Sequence, residues 1–240
     1  MPAKGHLYLI PTPIAADALH TLPQYLIDQL HQIKYFIAER AKTARHFIKA
    51  TNPPYSISEL DVQELNKRTT AEERATFLDA AMEGNNIGLL SEAGCPGVAD
   101  PGALIVSMAH ARGIEVIPLV GPSSILLALM AAGMNGQSFT FHGYLSAKVP
   151  ALIKDLKHLE QQAKKLDQTQ IFIETPYRNN GIIEHGLKTL HPNTQLCIAM
   201  NISGSNQYIK TKKVKEWQKA SIPDLHKQPA IFLIYREAVS

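Results

Sequence analysis

The stretch Asn86-Ile-Gly-Leu-Leu-Ser91-Glu-Ala-Gly-Cys-Pro-Gly-Val-Ala-Asp-Pro-Gly102-Ala-Leu-Ile-Val-Ser-Met-Ala-His-Ala-Arg-Gly113 decides the fold class. It opens with an apolar run of strand length, Asn86–Ser91. A loop holding three glycines and two prolines follows. The apolar run Ala103–Arg112 then has the length and residue types of a helix. Asp100-Pro101 reads as an N-cap followed by proline at the first helical position, and Gly113 as the glycine that ends the helix. The segment is therefore a strand, a shaped loop and a helix.

The same unit recurs on both sides. Downstream, Glu115–Leu119 predicts a strand, Val120-Gly-Pro-Ser-Ser124 a loop, and Ile125–Ala132 a helix closed by Gly133. Upstream, strands are expected at Leu7–Ile10 and Tyr35–Ala38, with helices at Gln24–Ile33, Arg40–Ala50 and Ala71–Met82. Further strands are expected at Phe139–Gly143, Gln170–Glu174, Gln195–Met200 and Ala230–Tyr235. Strands alternating with helices argue for an α/β protein with a mainly parallel sheet. Near the C-terminus Tyr208–Val214 alternates weakly between Lys-rich turns, which suggests antiparallel strands and a second α/β domain with a mixed sheet. The boundary is expected near Pro118–Val120, giving domains 1–118 and 119–240.

Composition narrows the class. The chain has 240 residues, 45% of them hydrophobic and 19% charged, which suits a globular protein with a real core. Apolar runs stay well short of the roughly 18 residues of a membrane helix. No secretory leader is visible before Leu7, and a cytoplasmic protein is expected. Cys95 and Cys197 lie far apart, and no Cys/His spacing suits a metal, so neither a disulfide framework nor a metal site is expected. The net charge is only +3. Its distribution is uneven, because Lys34, Arg40, Lys42, Arg45 and Lys49 stand against Glu39 alone within residues 34–49. Six lysines stand against Glu216 and Asp224 within 205–227. Each stretch is either a solvated face or a footprint for phosphates.

Ligands of α/β sheets sit beyond the carboxyl ends of strands, where this chain carries four Gly/Pro loops. They are Ile10-Pro-Thr-Pro-Ile14, Ser91–Gly102, Val120–Ser124 and Ile173-Glu-Thr-Pro-Tyr-Arg178. No GxGxxG, GxxxxGK[ST] or GxSxG accompanies them, so the dinucleotide fingerprint, the P-loop and the nucleophile elbow are all absent. Trp217 could stack on a base or simply pack.

In this order and spacing the four loops resemble the tetrapyrrole (corrin/porphyrin) methylase superfamily. Within it they are most similar to the bacterial small-subunit ribosomal RNA cytidine 2′-O-methyltransferase branch, which reads (S/T)DAGTPxISDPG, PGPSA and ESPHR at these places. The resemblance covers essentially the whole chain. It implies two α/β domains with S-adenosyl-L-methionine in the cleft between them, and a homodimer. It also implies cofactor contacts from Thr12, Pro13, Ile14, Ala93, Gly94, Cys95, Val98, Ser123 and Ser124. From the second domain it adds Glu174, Asn201, Ile202, Pro229 and Ala230.

The acceptor side departs from that branch. Glu39-Arg-Ala-Lys42 stands in place of EDTR, and Gln63-Glu-Leu-Asn66 in place of HEHN. Met200-Asn-Ile-Ser203 replaces a RELT-like segment. Methyl transfer to a sugar hydroxyl benefits from a carboxylate that accepts the proton, and Glu39 and Glu64 are the candidate catalytic residues. Lys42, Arg45, Asn66 and Arg178 are candidate substrate contacts. The expected activity is a methyltransferase acting on a ribose 2′-hydroxyl of ribosomal RNA. A tetrapyrrole or other small acceptor is the alternative, as is a protein that binds S-adenosylmethionine without catalysis. No membrane or metal partner is expected.

Overall fold

The computed structural model describes residues 3–237. These residues divide into two compact units, the first ending at Ser123 and the second beginning at Ser124.

The first unit is a doubly wound sheet. Its elements are β1 (Leu7–Ile10), α1 (Gln24–Leu30), β2 (Tyr35–Ala38), α2 (Ala41–Ala50), β3 (Asp61–Glu64), α3 (Ala71–Thr76), α4 (Asp79–Met82), β4 (Ile87–Leu90), α5 (Gly102–Ala111) and β5 (Val116–Pro118). The strand order is β3-β2-β4-β1-β5, and every pairing is parallel. Strands buried on both faces read as continuous apolar runs, and all four residues of β4 are buried. Successive side chains of β2 go to opposite faces. Phe36 packs with Leu26 and Leu30 of α1 and Ile48 of α2. Ile37 packs with Ala81 of α4 and Ile105 of α5. Gly88 is required where β4 meets β2, because a Cβ there would lie 2.7 Å from the Phe36 ring.

The connections from neighbouring strands β2 and β4 leave on opposite faces of this sheet, through α2 and α5. Their carboxyl ends therefore open onto a crevice, the position where such sheets bind ligands.

The second unit comprises α6 (Ser124–Ala132), β6 (Phe139–Tyr144), α7 (Val149–Leu166), β7 (Thr169–Ile173), α8 (Asn179–Thr189), β8 (Gln195–Met200), β9 (Tyr208–Lys213), α9 (Val214–Trp217) and β10 (Ala230–Tyr235). Its sheet has the order β6-β7-β10-β8-β9. Only β6 and β7 pair in parallel, so the sheet is mixed, as the change of pattern near the C-terminus led one to expect. Phe172 and Phe232 stack with ring centroids 5.4 Å apart between the sheet and α7 and α8. Trp217 is a packing residue, not a stacking platform. It is buried and its Nε1–H donates to the Leu196 carbonyl at 2.8 Å.

Three local expectations are corrected. The helix expected over Ala71–Met82 is two helices, α3 and α4. Leu78, at φ −106° and ψ 9°, leaves helical geometry at the junction, and it and Phe77 are both buried there. The edge strand β3 was not expected, because Asp61-Val-Gln-Glu64 is short and polar. The cap of α5 is Pro101, one residue later than expected. The Asp100 carboxylate instead accepts N–H groups from Gly97 and Gly102, at 2.7 and 2.8 Å, so it shapes the loop as well as the helix start.

Candidate functional site

The loops that follow β1 and β4 are tied to each other. The Thr12 N–H donates to Gly94 O at 3.0 Å, and the Gly94 N–H to Thr12 O at 3.1 Å. The buried Ser91 hydroxyl donates to the same Gly94 carbonyl at 2.7 Å, and the Thr12 hydroxyl to Ser91 O at 3.3 Å. Gly94 holds φ +75°, and a Cβ on it would approach Pro122 O at 3.4 Å. Cys95 Sγ–H donates to that Pro122 carbonyl at 3.4 Å. Three of the four loops singled out in the sequence thus meet at the carboxyl end of the first sheet. Burial pushes the Cys95 thiol up, which keeps it protonated and inert as a nucleophile.

Thr12, Pro13, Ile14 and Ala93 line a cavity of about 310 Å³ together with residues of α2. Val98 and Ala93 are exposed. Ser123 closes the first unit, and Ser124 is the first residue of α6 in the second.

The two candidate catalytic carboxylates differ in what they do. Glu64 Oε1 accepts the Ala41 N–H at 2.8 Å, so it satisfies the first free amide of α2. Glu39 makes no side-chain hydrogen bond among the described residues. Partial burial raises its pKa, and the Glu92 and Asp100 carboxylates raise it further. Asp100 is itself shifted upward by burial, against the pull of its two amide donors. Lys42 is exposed and Arg45 half-buried on α2. Asn66 Oδ1 accepts the Arg68 N–H at 2.9 Å and shapes the turn after β3.

In the second unit, strand register gathers the remaining candidates. Ile231 pairs with Ile173, and Ala230 with Met200. Glu174, Asn201, Pro229 and Ala230 therefore share one sheet edge, with buried Ile202 beside Asn201. Gln228 is the hub. Its side-chain oxygen accepts from Asn201 Nδ2 at 2.8 Å, and its carbonyl from Asn179 Nδ2 at 2.6 Å. The Asn201 N–H donates to Pro229 O at 3.0 Å, with φ +51° at Asn201. The buried Glu174 carboxylate accepts the Thr175 N–H at 2.6 Å. Arg178 Nη2 lies 2.6 Å from Glu174 Oε2 and donates to Ser146 O at 3.0 Å, so this guanidinium is already engaged within the unit. Buried Asn179 Oδ1 receives no hydrogen bond among the described residues, whereas Glu174 Oε2 is ion-paired with Arg178. Buried acceptors are normally paired, so Asn179 Oδ1 can receive a ligand donor.

Asn179 and Gln228 were not among the residues expected from the sequence. Asn179 follows the Glu-Thr-Pro-Tyr-Arg turn directly, and an Asn-Asn pair opening a helix was the signal available. Gln228 carried none. Among the described residues no group of three or more His, Cys, Asp or Glu could hold a metal ion, and no helix is long and apolar enough to cross a membrane.

Residues 7–218 match the family model described as Tetrapyrrole (Corrin/Porphyrin) Methylases. The chain is similar to proteins named Ribosomal RNA small subunit methyltransferase I. With the one from Vibrio cholerae it shares 28% identity over 88% of this chain and 69% of the relative. With the one from Bacillus subtilis it shares 34% over 72% of this chain and 56% of the relative. Among solved structures, the methyltransferase CobJ superposes with a TM-score of 0.62 at 17% identity, covering 97% of this chain and 94% of that one. A uroporphyrin-III C-methyltransferase from Thermus thermophilus, complexed with S-adenosyl homocysteine, gives 0.58 at 15% identity, covering 97% and 98%.

Proposed function

The chain belongs to the tetrapyrrole (corrin/porphyrin) methylases, and from that premise we propose that it transfers a methyl group from S-adenosylmethionine to a ribose 2′-hydroxyl of small-subunit ribosomal RNA. The observation that carries the RNA reading is the 28–34% identity to relatives named for ribosomal RNA over most of the chain. The basic face of α2 supports it, because a phosphate backbone rewards clustered cations and a macrocycle does not need them.

The donor set suits this cofactor. Its ammonium, ribose hydroxyls and adenine amine are all hydrogen-bond donors, and Asn179 Oδ1 is a buried acceptor without a donor among the described residues. In the first unit, Thr12, Pro13, Ile14, Ala93, Gly94, Cys95, Val98 and Ser123 would hold it. In the second, Ser124, Glu174, Asn201, Ile202, Pro229 and Ala230 would do so. When bound, it supplies a methyl group already activated by a sulfonium.

The protein's task is then to orient an acceptor and take up its proton. Glu39 is suited to accept that proton at its carboxylate. Its burial and its two carboxylate neighbours raise its proton affinity, and no hydrogen bond among the described residues occupies it. Glu64 caps α2 and keeps that helix in place. Lys42 and Arg45 would meet phosphates. A homodimer in the cytoplasm completes the proposal.

The test is to map 2′-O-methylation on small-subunit ribosomal RNA from cells with and without this protein. One ribose methylation is expected to vanish in its absence and to return with the wild-type protein but not with Glu39→Gln. An unchanged methylation map would refute the RNA reading.

A further inference from the structure

The cavity of about 310 Å³ is lined not only by the β1 and β4 loops but by one face of α2. Thr43 and Phe47 are four residues apart, as are His46 and Ala50, so their side chains share that face. The Thr43 hydroxyl and the His46 imidazole face the cavity and make no hydrogen bond among the described residues. Phe47 is half-buried and offers an aromatic surface in the same wall. Lys42, Arg45 and Lys49 lie on the same helix. The wall thus combines a ring, two unused polar groups and neighbouring cations.

We infer that this cavity receives a single unstacked nucleotide of the RNA acceptor, with its base against Phe47. Thr43 and His46 then meet polar edges of the base or sugar, and Lys42 and Arg45 meet the flanking phosphates. The inference rests on the RNA reading above and adds where the acceptor is held. Sequence-tolerant RNA recognition works by splaying a base onto an aromatic side chain while cations track the backbone. A volume near the lower limit for small-molecule pockets suits one nucleotide. The cavity also shares Thr12, Pro13, Ile14 and Ala93 with the residues assigned to the cofactor, and acceptor and donor must be neighbours for transfer.

Saturation-transfer NMR with the four 5′-nucleoside monophosphates tests the cavity without requiring turnover. The wild-type protein is expected to show transfer to base protons, and Ala50→Phe, which fills the cavity from an exposed helix end, to abolish it. Phe47→Leu should weaken nucleotide binding about tenfold, the effect of losing one stacking partner. S-adenosylmethionine affinity, measured by calorimetry, should be unchanged in both variants. Nucleotide transfer that persists in Ala50→Phe overturns the inference, and so does a parallel loss of cofactor binding, which would assign the cavity to the cofactor. A protein that binds nucleotides here yet leaves ribosomal RNA unmethylated would refute the proposed function and leave this site standing.

Discussion

Thr12 and Gly94 exchange two main-chain hydrogen bonds, at 3.0 and 3.1 Å, across loops that leave neighbouring strands β1 and β4. The pair acts as a clasp. It uses the backbone polar groups of Gly94 within the protein, so this glycine contributes shape and close approach to the site rather than free donors. Its φ of +75° is one that a side chain strains.

Replacing Gly94 tests the clasp. Gly94→Val places a branched side chain at positive φ, with its Cβ 3.4 Å from Pro122 O. The left-handed conformation alone costs about 1–2 kcal/mol. Urea titration should report a loss of that size with a cooperative transition retained. Calorimetry should show S-adenosylmethionine binding abolished. Normal binding by a folded Gly94→Val protein would move the cofactor away from this loop.

Glu64 and Glu39 can be separated by paired substitutions. Glu64→Ala removes the acceptor for the Ala41 amide and should cost about 1 kcal/mol, the usual effect of losing a helix cap. Glu64→Gln keeps an acceptor oxygen and should restore both stability and methyl transfer. Glu39→Gln should leave stability nearly unchanged and lower kcat. Loss of turnover in Glu64→Gln with stability intact would reverse the assignment.

The cations of α2 carry a salt signature. Lys42→Ala with Arg45→Ala should weaken RNA binding uniformly across sequences. The slope of log affinity against log salt should fall by about one unit per lost phosphate contact. Filter binding from low to moderate salt measures it. An unchanged slope would make this face merely solvated.

Tyr235 provides a pH test of the second unit. Its hydroxyl donates to Asp167 Oδ1 at 2.5 Å, and this bond raises the phenol from 10.0 to about 12. Folding therefore holds the proton more tightly than the unfolded chain does. The stability from the bond is full below about pH 10 and is lost as pH rises toward 12. Spectrophotometric titration should show one phenol ionising near 12, and that component should disappear in Tyr235→Phe. Its persistence in the variant would assign the late titration to another tyrosine.

Much of the architecture was legible without coordinates. The strands Leu7–Ile10, Tyr35–Ala38, Gln195–Met200 and Ala230–Tyr235 stand where their apolar runs predicted. Gly113 and Gly133, at φ +62° and +66°, follow α5 and α6 as their positions implied. The edge strand β3 was not legible, because Asp61-Val-Gln-Glu64 has no apolar run and forms only by pairing with β2. Nor was the break between α3 and α4, where Leu78 leaves helical geometry and is buried with Phe77.

The candidate site divides in the same way. Sequence by itself determined which loops shape the strand ends, because glycine and proline there are local requirements of backbone geometry and the four loops stand in a characteristic order. Tertiary structure alone decided how those loops are used. The Thr12–Gly94 clasp, the Gln228 hub between Asn179 and Asn201, and the bond of Arg178 to Ser146 all join residues distant in the chain. So does the cavity wall of Thr43, His46, Phe47 and Ala50 against the Ile10–Ile14 loop. Hydrogen-bond partners and cavity walls depend on which strand ends the sheet order β3-β2-β4-β1-β5 brings side by side, and that order is set by long-range packing rather than by any local run of residues.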